Sequence, residues 1–139
     1  MTIEIRSMNT GDIKDAHELW KGLAGISLSS ADEDYHLRAF LMKNPSTCFV
    51  AVKEDELVGT ILGGNDGRRG FIYHLAVSRQ FQRQNIGKLL TETCLKALKE
   101  QRIMKCHIFV MRENIEGVKF WEKSGWQLRD DIIIMSKDL

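Results

Sequence analysis

Three cations, Arg79, Arg83 and Lys88, surround Gly87 in the segment 75–90. An apolar run, Leu75-Ala76-Val77, leads into this polar, basic turn, and a helical pattern opens near Ile86. Where a strand passes through a turn into a helix, the first backbone N–H groups of the helix have no partner inside it. They converge with the positive end of the helix dipole, which suits an anion such as phosphate. Gly87 carries no side chain, so a ligand can come close to the backbone. The chemistry this predicts is the cradling of a pyrophosphate by Gln82, Arg83, Gln84, Asn85, Ile86, Gly87 and Lys88. Neither common nucleotide motif fits. A P-loop requires Gly, four residues, then Gly-Lys-Ser/Thr, whereas Gly87-Lys88 is followed by Leu89 and position 82 is Gln. A dinucleotide fingerprint needs three spaced glycines, and this segment has one.

The rest of the chain must position that turn. Its 139 residues suffice for one domain with a real core, 1–139, and not for two. With 43% hydrophobic and 28% charged residues it has the composition of an ordinary soluble globular protein. A net charge of +1 argues against a nucleic-acid partner. No apolar run approaches the length of a membrane span, and the N-terminus carries no signal-peptide pattern. Cys48, Cys94 and Cys106 are odd in number, form no close pair and fall on apolar positions; they read as buried, reduced thiols of a cytoplasmic protein. His17 and His36 read as helix-surface or helix-packing residues. Cys106-His107 alone does not make a metal site, and no metal is expected.

Residues 3–6 alternate like a short strand. Asn9-Thr10-Gly11-Asp12 signals a helix start, and Ile13, Ala16, Leu19, Trp20 and Leu23 follow at helical spacing. Ser30-Ala31-Asp32-Glu33 is a capping-box pattern, and Leu37, Phe40 and Leu41 form the buried face of a second helix that stops at Asn44-Pro45. Strands are expected at 47–52, 57–62 and 71–77, with 63–70 as a flexible hairpin loop. The helix after the cradle carries the stripe Ile86, Leu89, Leu90, Thr93, Cys94, Ala97 and Leu98. A strand at 106–110 completes a parallel crossover. Asn114 caps a last helix bearing Ile115, Val118 and Trp121 and closed by Gly125. Residues 126–128 and 132–135 are expected to end the chain as a hairpin around Asp130-Asp131. The order is βααβββαβαββ.

Gln82-Arg83-Gln84-Asn85-Ile86-Gly87 resembles the acetyl-CoA motif of the GNAT acyltransferase superfamily, Gln/Arg-x-x-Gly-x-Gly/Ala after a Leu-x-Val strand end. Asn85 stands where the first Gly is usual, and Asn tolerates a left-handed backbone better than most residues. Asn114-Ile115-Glu116-Gly117-Val118-Lys119-Phe120-Trp121 through Gly125-Trp126 resembles a second segment of that family, Asn-x-x-Ala-x-x-Phe-Tyr-x-x-x-Gly-Phe. The resemblance covers nearly the whole chain. It implies an α+β fold with a mixed sheet of about seven strands and four helices. It also implies an N-acetyltransferase that uses acetyl-CoA, releases CoA and acts on a primary amine of a small molecule or peptide by a direct ternary-complex mechanism. Pairing of two copies into a homodimer is common in the family.

By the same resemblance, backbone groups of Leu75, Ala76 and Val77 bind the acetyl carbonyl and pantetheine arm, with the Leu75 N–H as oxyanion donor. Segment 82–88 binds the pyrophosphate, and Asn114 hydrogen-bonds the pantetheine. Acetyl transfer also needs a base for the amine and a proton for the thiolate. Tyr73 and His74 are the residue types near the strand end able to move a proton, although His74 alternates away from Phe71, Tyr73 and Leu75 unless a bulge turns it. A water chain to a distant acid would also serve. Many relatives place a Tyr where this chain has Trp121, and indole is a donor but no usable acid; Trp121 is left to hydrogen-bond the sulfur or pack on the pantetheine arm, and Tyr73 or Tyr35 to supply the proton. Asp32, Glu33, Asp34, Asp130 and Asp131 lie where the acceptor wall is usually built. The alternative is a regulatory module that binds CoA or acyl-CoA without turnover.

Overall fold

The computed structural model describes residues 2–139. Its elements are β1 (Glu4–Ser7), α1 (Ile13–Lys21), α2 (Asp34–Lys43), β2 (Phe49–Lys53), β3 (Glu56–Asn65), β4 (Gly70–Val77), α3 (Ile86–Glu100), β5 (Cys106–Ile108) and α4 (Ile115–Lys123). Short 3-10 turns sit at Thr10–Asp12, Ser30–Asp32 and Arg79–Phe81. The chain divides into two compact units, Met1–Phe109 and Val110–Leu139. The first holds the sheet with α1, α2 and α3; the second holds α4 and the C-terminal residues.

The sheet is mixed, ordered β1-β2-β3-β4-β5. Hairpin-linked β2, β3 and β4 pair antiparallel, whereas β5 returns through α3 and pairs parallel to β4. The α+β architecture with four helices is the expected one, but the described residues form five strands rather than about seven. The hairpin expected from 126–128 and 132–135 is the difference. Ile133 and Met135 are 85% and 86% exposed, and no ladder bonds reach their segment. A run of β-branched residues favours a strand only where a neighbouring strand and a buried face receive it.

The two faces of the sheet carry different helices. Trp20 of α1 and Leu37 and Leu41 of α2 pack with Val50, Leu62 and Ala76 in one core cluster. On the other face, a Cβ added to Gly59 or Gly70 would press on Leu90 or Leu98 of α3. Gly63 and Gly64 correct the expectation of a flexible loop beginning at 63, since both belong to β3. A side chain at Gly63 would overlap Cys94 of α3 and the Thr47 carbonyl, and one at Gly64 would overlap the Phe40 ring of α2. These two glycines let a helix close on each face.

Helix starts follow the local sequence. Asn9 and Asp12 form a reciprocal capping box. Burial would raise the Asp12 carboxyl pKa, but the Arg6 guanidinium and the Asn9 N–H outweigh it and hold the group below its usual range. The second box runs from Ser29 to Asp32, one residue earlier than the pattern suggested. On α3 the buried stripe is Ile86, Leu90, Thr91, Cys94 and Leu98. Leu89, expected on that stripe, is 45% exposed. The three cysteines are free; Cys48 and Cys94 are buried and Cys106 is partly so. Burial pushes the Cys48 and Cys106 thiols up to about 11.

Candidate active site

Strand β4 is irregular next to Tyr73, at His74 and Leu75. Thr60 pairs with Ala76 and Leu62 with Tyr73, so one β3 residue, Ile61, faces two β4 residues, His74 and Leu75. This is a β-bulge, and His74 takes a left-handed backbone with φ of 48°. Histidine is among the few non-glycine residues enriched there, at a strain on the order of 1–3 kcal/mol. The bulge interrupts the strand's alternation. Tyr73 packs edge-on to Phe40 of α2, with ring centroids 6.0 Å apart. His74 does not turn to the opposite face: its ring lies 4.6 Å from that of Trp20 in α1. Consecutive residues therefore meet the helices of the same face.

His74 is held at both its backbone and its ring. The buried Trp20 indole donates to Thr60 Oγ1 at 2.9 Å, and Thr60 Oγ1 donates to the His74 carbonyl at 2.9 Å. The ring Nε2 lies 2.7 Å from Asp32 Oδ1, with the two side chains 14% and 13% exposed. Asp32 is itself anchored: its Oδ2 accepts from the Ser29 N–H at 3.0 Å, and its carbonyl lies 2.5 Å from His17 Nε2. Tyr73, 36% exposed, stacks beside Phe71 and Phe109 at 6.4 and 6.3 Å. Burial, with a smaller contribution from Cys106, pushes the Tyr73 phenol above its ordinary pKa. A phenol already keeps its proton at neutral pH, and this shift moves it further in that direction.

Below the bulge, β4 ends at Val77 and the Arg79–Phe81 turn leads to the start of α3. The Gln82 amide donates to the Val77 carbonyl at 2.9 Å and ties the turn to the strand end. Asn85 adopts the left-handed conformation, φ 66° and ψ 12°, in place of the glycine of the resembled motif. In that conformation its side chain makes no capping hydrogen bond. A typical N-cap Asn occupies one of the free N–H groups of the first turn; here the Asn85 side chain makes no such bond. Arg83 is left-handed too, with φ of 63°. Arg83, Gln84, Asn85 and Lys88 are exposed, while Ile86 is buried and Gly87 partly so. The structure thus brings Tyr73, His74, Leu75, Ala76, Val77 and the segment 82–88 onto one continuous strand, turn and helix.

Asn114 and Trp121 belong to the second unit. Asn114 caps α4, its side-chain oxygen accepting from the Gly117 N–H at 3.0 Å. Position 117 is Gly where the resembled segment has Ala, and a Cβ there would press on the Asn114 amide. Trp121 is buried, its ring 5.1 Å from that of Phe120 and 5.0 Å from that of Trp126. The sequence carries no signal for the contacts of Trp20 and Thr60, and in it Asp32 reads as a helix-start acid or as part of the acceptor wall. Asp32 is a cap, but with one oxygen only.

Known proteins resemble this chain in sequence and in fold. The model of the acetyltransferase (GNAT) family matches residues 13–126. An acetyltransferase of Photorhabdus laumondii is 29% identical over 99% of this chain and 96% of its own length. One of Sodalis glossinidius is 26% identical over 99% and 96%. Among solved structures, Ard1 of Thermoplasma volcanium superposes with a TM-score of 0.81 at 21% identity, covering 93% of this chain and 85% of that one. The PaiA N-acetyltransferase of Thermoplasma acidophilum, solved with coenzyme A, gives 0.80 at 21% identity over 95% and 94%. A chain with this fold and a family match through most of its length is a GNAT acetyltransferase. It is therefore an enzyme of the acyltransferase class, with acetyl-CoA as the acetyl donor standard to the family.

Proposed function

We propose that this protein is an N-acetyltransferase that passes the acetyl group of acetyl-CoA directly to a primary amine of a small molecule or peptide, with both substrates bound together. The observation that carries this reading is the continuity of the bulge at His74-Leu75 with the uncapped, left-handed start of α3. One end presents proton-transfer side chains, and the other presents free N–H groups to a pyrophosphate. Backbone groups of Leu75, Ala76 and Val77 bind the thioester carbonyl and pantetheine arm. Those of Gln82 through Lys88 bind the pyrophosphate, and Arg83 and Lys88 add charge. His74 accepts the amine proton, and Tyr73 is the phenol that donates to the leaving thiolate.

The AAC(6')-Iy structure, solved with a bisubstrate analogue that joins CoA to an acetylneamine, has a TM-score of 0.76 with this chain. It supports a direct transfer in this fold and an amine acceptor. The family match runs through both units and supports 1–139 acting as a single domain. No helix among the described residues is long and apolar enough to cross a membrane. The free cysteines suit a reducing compartment, so the enzyme works in the cytoplasm, as a homodimer where copies pair.

Thermal shift with acetyl-CoA, ATP and NAD tests the cofactor half. Stabilisation by acetyl-CoA alone, lost in Gly87→Trp, is the expected result. Equal responses to all three, or none to acetyl-CoA, would sink the reading. Release of free CoA thiol in the presence of a panel of primary amines then tests the transfer.

A further inference from the structure

One carboxylate near the bulge has a use beyond capping, and we propose that Asp32 is the positioning residue that makes His74 a base at Nδ1. This rests on the reading of His74 as the group that takes the acceptor's proton.

A helix cap needs one carboxylate oxygen, and Asp32 Oδ2 fills that role by accepting from the Ser29 N–H at 3.0 Å. The other oxygen, Oδ1, lies 2.7 Å from His74 Nε2, from a position 42 residues away in the chain. An ionised carboxylate only accepts hydrogen bonds. The proton of a neutral His74 therefore resides on Nε2, and the free lone pair is left on Nδ1. Among the described residues, no buried side-chain nitrogen or oxygen lacks a hydrogen-bond partner. Nδ1 makes no hydrogen bond among the described residues, so it is not sealed from solvent, and the His74 side chain is 14% exposed. The bulge, the Thr60 bond to the His74 carbonyl and the Trp20 ring fix the imidazole so that this lone pair keeps one direction.

The groups around the pair are few. The Ser30–Asp32 turn supplies Asp32, and α1 supplies His17, which bonds the Asp32 carbonyl, and Trp20. β3 supplies the Thr60 hydroxyl and β4 the adjacent Tyr73. Among the described residues, Asp32 is the one carboxylate paired with the ring. It stabilises the imidazolium as it forms, which is the role of an acid behind a histidine in other proton-transfer sites.

The step balances as a transfer between amine and thioester. The neutral amine nitrogen attacks the thioester carbonyl carbon, an N–C bond forms and the C–S bond breaks. The surplus amine proton passes to His74 Nδ1, CoA leaves as thiolate and takes a proton from Tyr73 or from solvent, a Tyr73 phenolate so formed is reprotonated by solvent, and the imidazolium returns its proton to water.

The test uses the full chain, labelled with 15N at histidine. Long-range proton–nitrogen correlation spectra should show His74 as the Nε2–H tautomer. Asp32→Asn keeps the shape and can turn its NH2 towards the ring, which would favour the opposite tautomer. The expected result is a loss of that signature and a fall in kcat of at least ~100-fold, with KM for acetyl-CoA within about 2-fold. Asp32→Glu should recover part of the rate. An Nδ1–H tautomer in the unsubstituted protein would overturn the inference, and so would Asp32→Asn with an unchanged kcat. If the unsubstituted protein released no CoA with an alkylamine, a diamine, an aminoglycoside or a lysine peptide, the functional reading would fall. The spectra would still decide the tautomer.

Discussion

His74 and Asn85 are both left-handed residues without the freedom of glycine, on the same strand, turn and helix, and they are held in opposite ways. At His74, φ is 48°, the carbonyl accepts from Thr60, the ring bonds Asp32, and the side chain is 14% exposed. At Asn85, φ is 66°, the residue is exposed, and its side chain makes no cap. The bulge uses backbone strain to aim a side chain. The helix start uses it to leave backbone N–H groups without a partner. Function at the first site should therefore follow side-chain identity, and at the second it should follow backbone shape and space.

The largest difference should come from removing the imidazole. His74→Ala is expected to lower kcat by roughly 10²–10⁴-fold, the range for loss of a general base, while acetyl-CoA still raises the melting temperature. A steady-state assay beside a thermal shift reads both, and unchanged turnover would remove the side-chain half of the contrast. Filling the space at Gly87 with Trp should do the reverse, abolishing the acetyl-CoA shift and leaving the Nε2–H signature of His74 in place. Thr60→Val sharpens the comparison by stability. It leaves the Trp20 N–H and the His74 carbonyl without a partner, at a cost of about 2–4 kcal/mol for the two together, to be measured by denaturant unfolding. Asn85→Gly is the mildest change. Glycine adopts the same conformation without strain, so cofactor affinity should hold and stability should rise by up to about 1 kcal/mol. A marked loss of affinity would mean that the Asn85 side chain itself touches the ligand.

The half of the site made by backbone was legible in the sequence. Strand end, basic turn and helix start follow from local patterns, and Asn85 is a residue type that tolerates the conformation its position needs. The half made by side chains was not. No residue marks the bulge in 70–77, so the face that His74 takes could be stated only as a condition. Its partner Asp32 is distant in the chain and sits in a pattern that reads fully as a helix cap. Gly63 and Gly64 were misread because glycine serves both loose turns and tight packing, and the helices that decide between these are set by Phe40 and Cys94 far along the chain. The run 132–135 has strand composition and no ladder, which composition alone does not report.

The hydrogen bonds from Trp20 through Thr60 to the His74 carbonyl have one further consequence. Indole can donate and has no lone pair to offer in return, so the Thr60 hydroxyl must point away from it, towards the bulge. That makes the pair a detent in the mechanical sense. For β4 to slide by one residue against β3, the hydroxyl would have to let go of the His74 carbonyl while still receiving the indole proton. The offset between Tyr73-His74 and the Arg79–Phe81 turn is therefore pinned from outside the strand, by a tryptophan on α1.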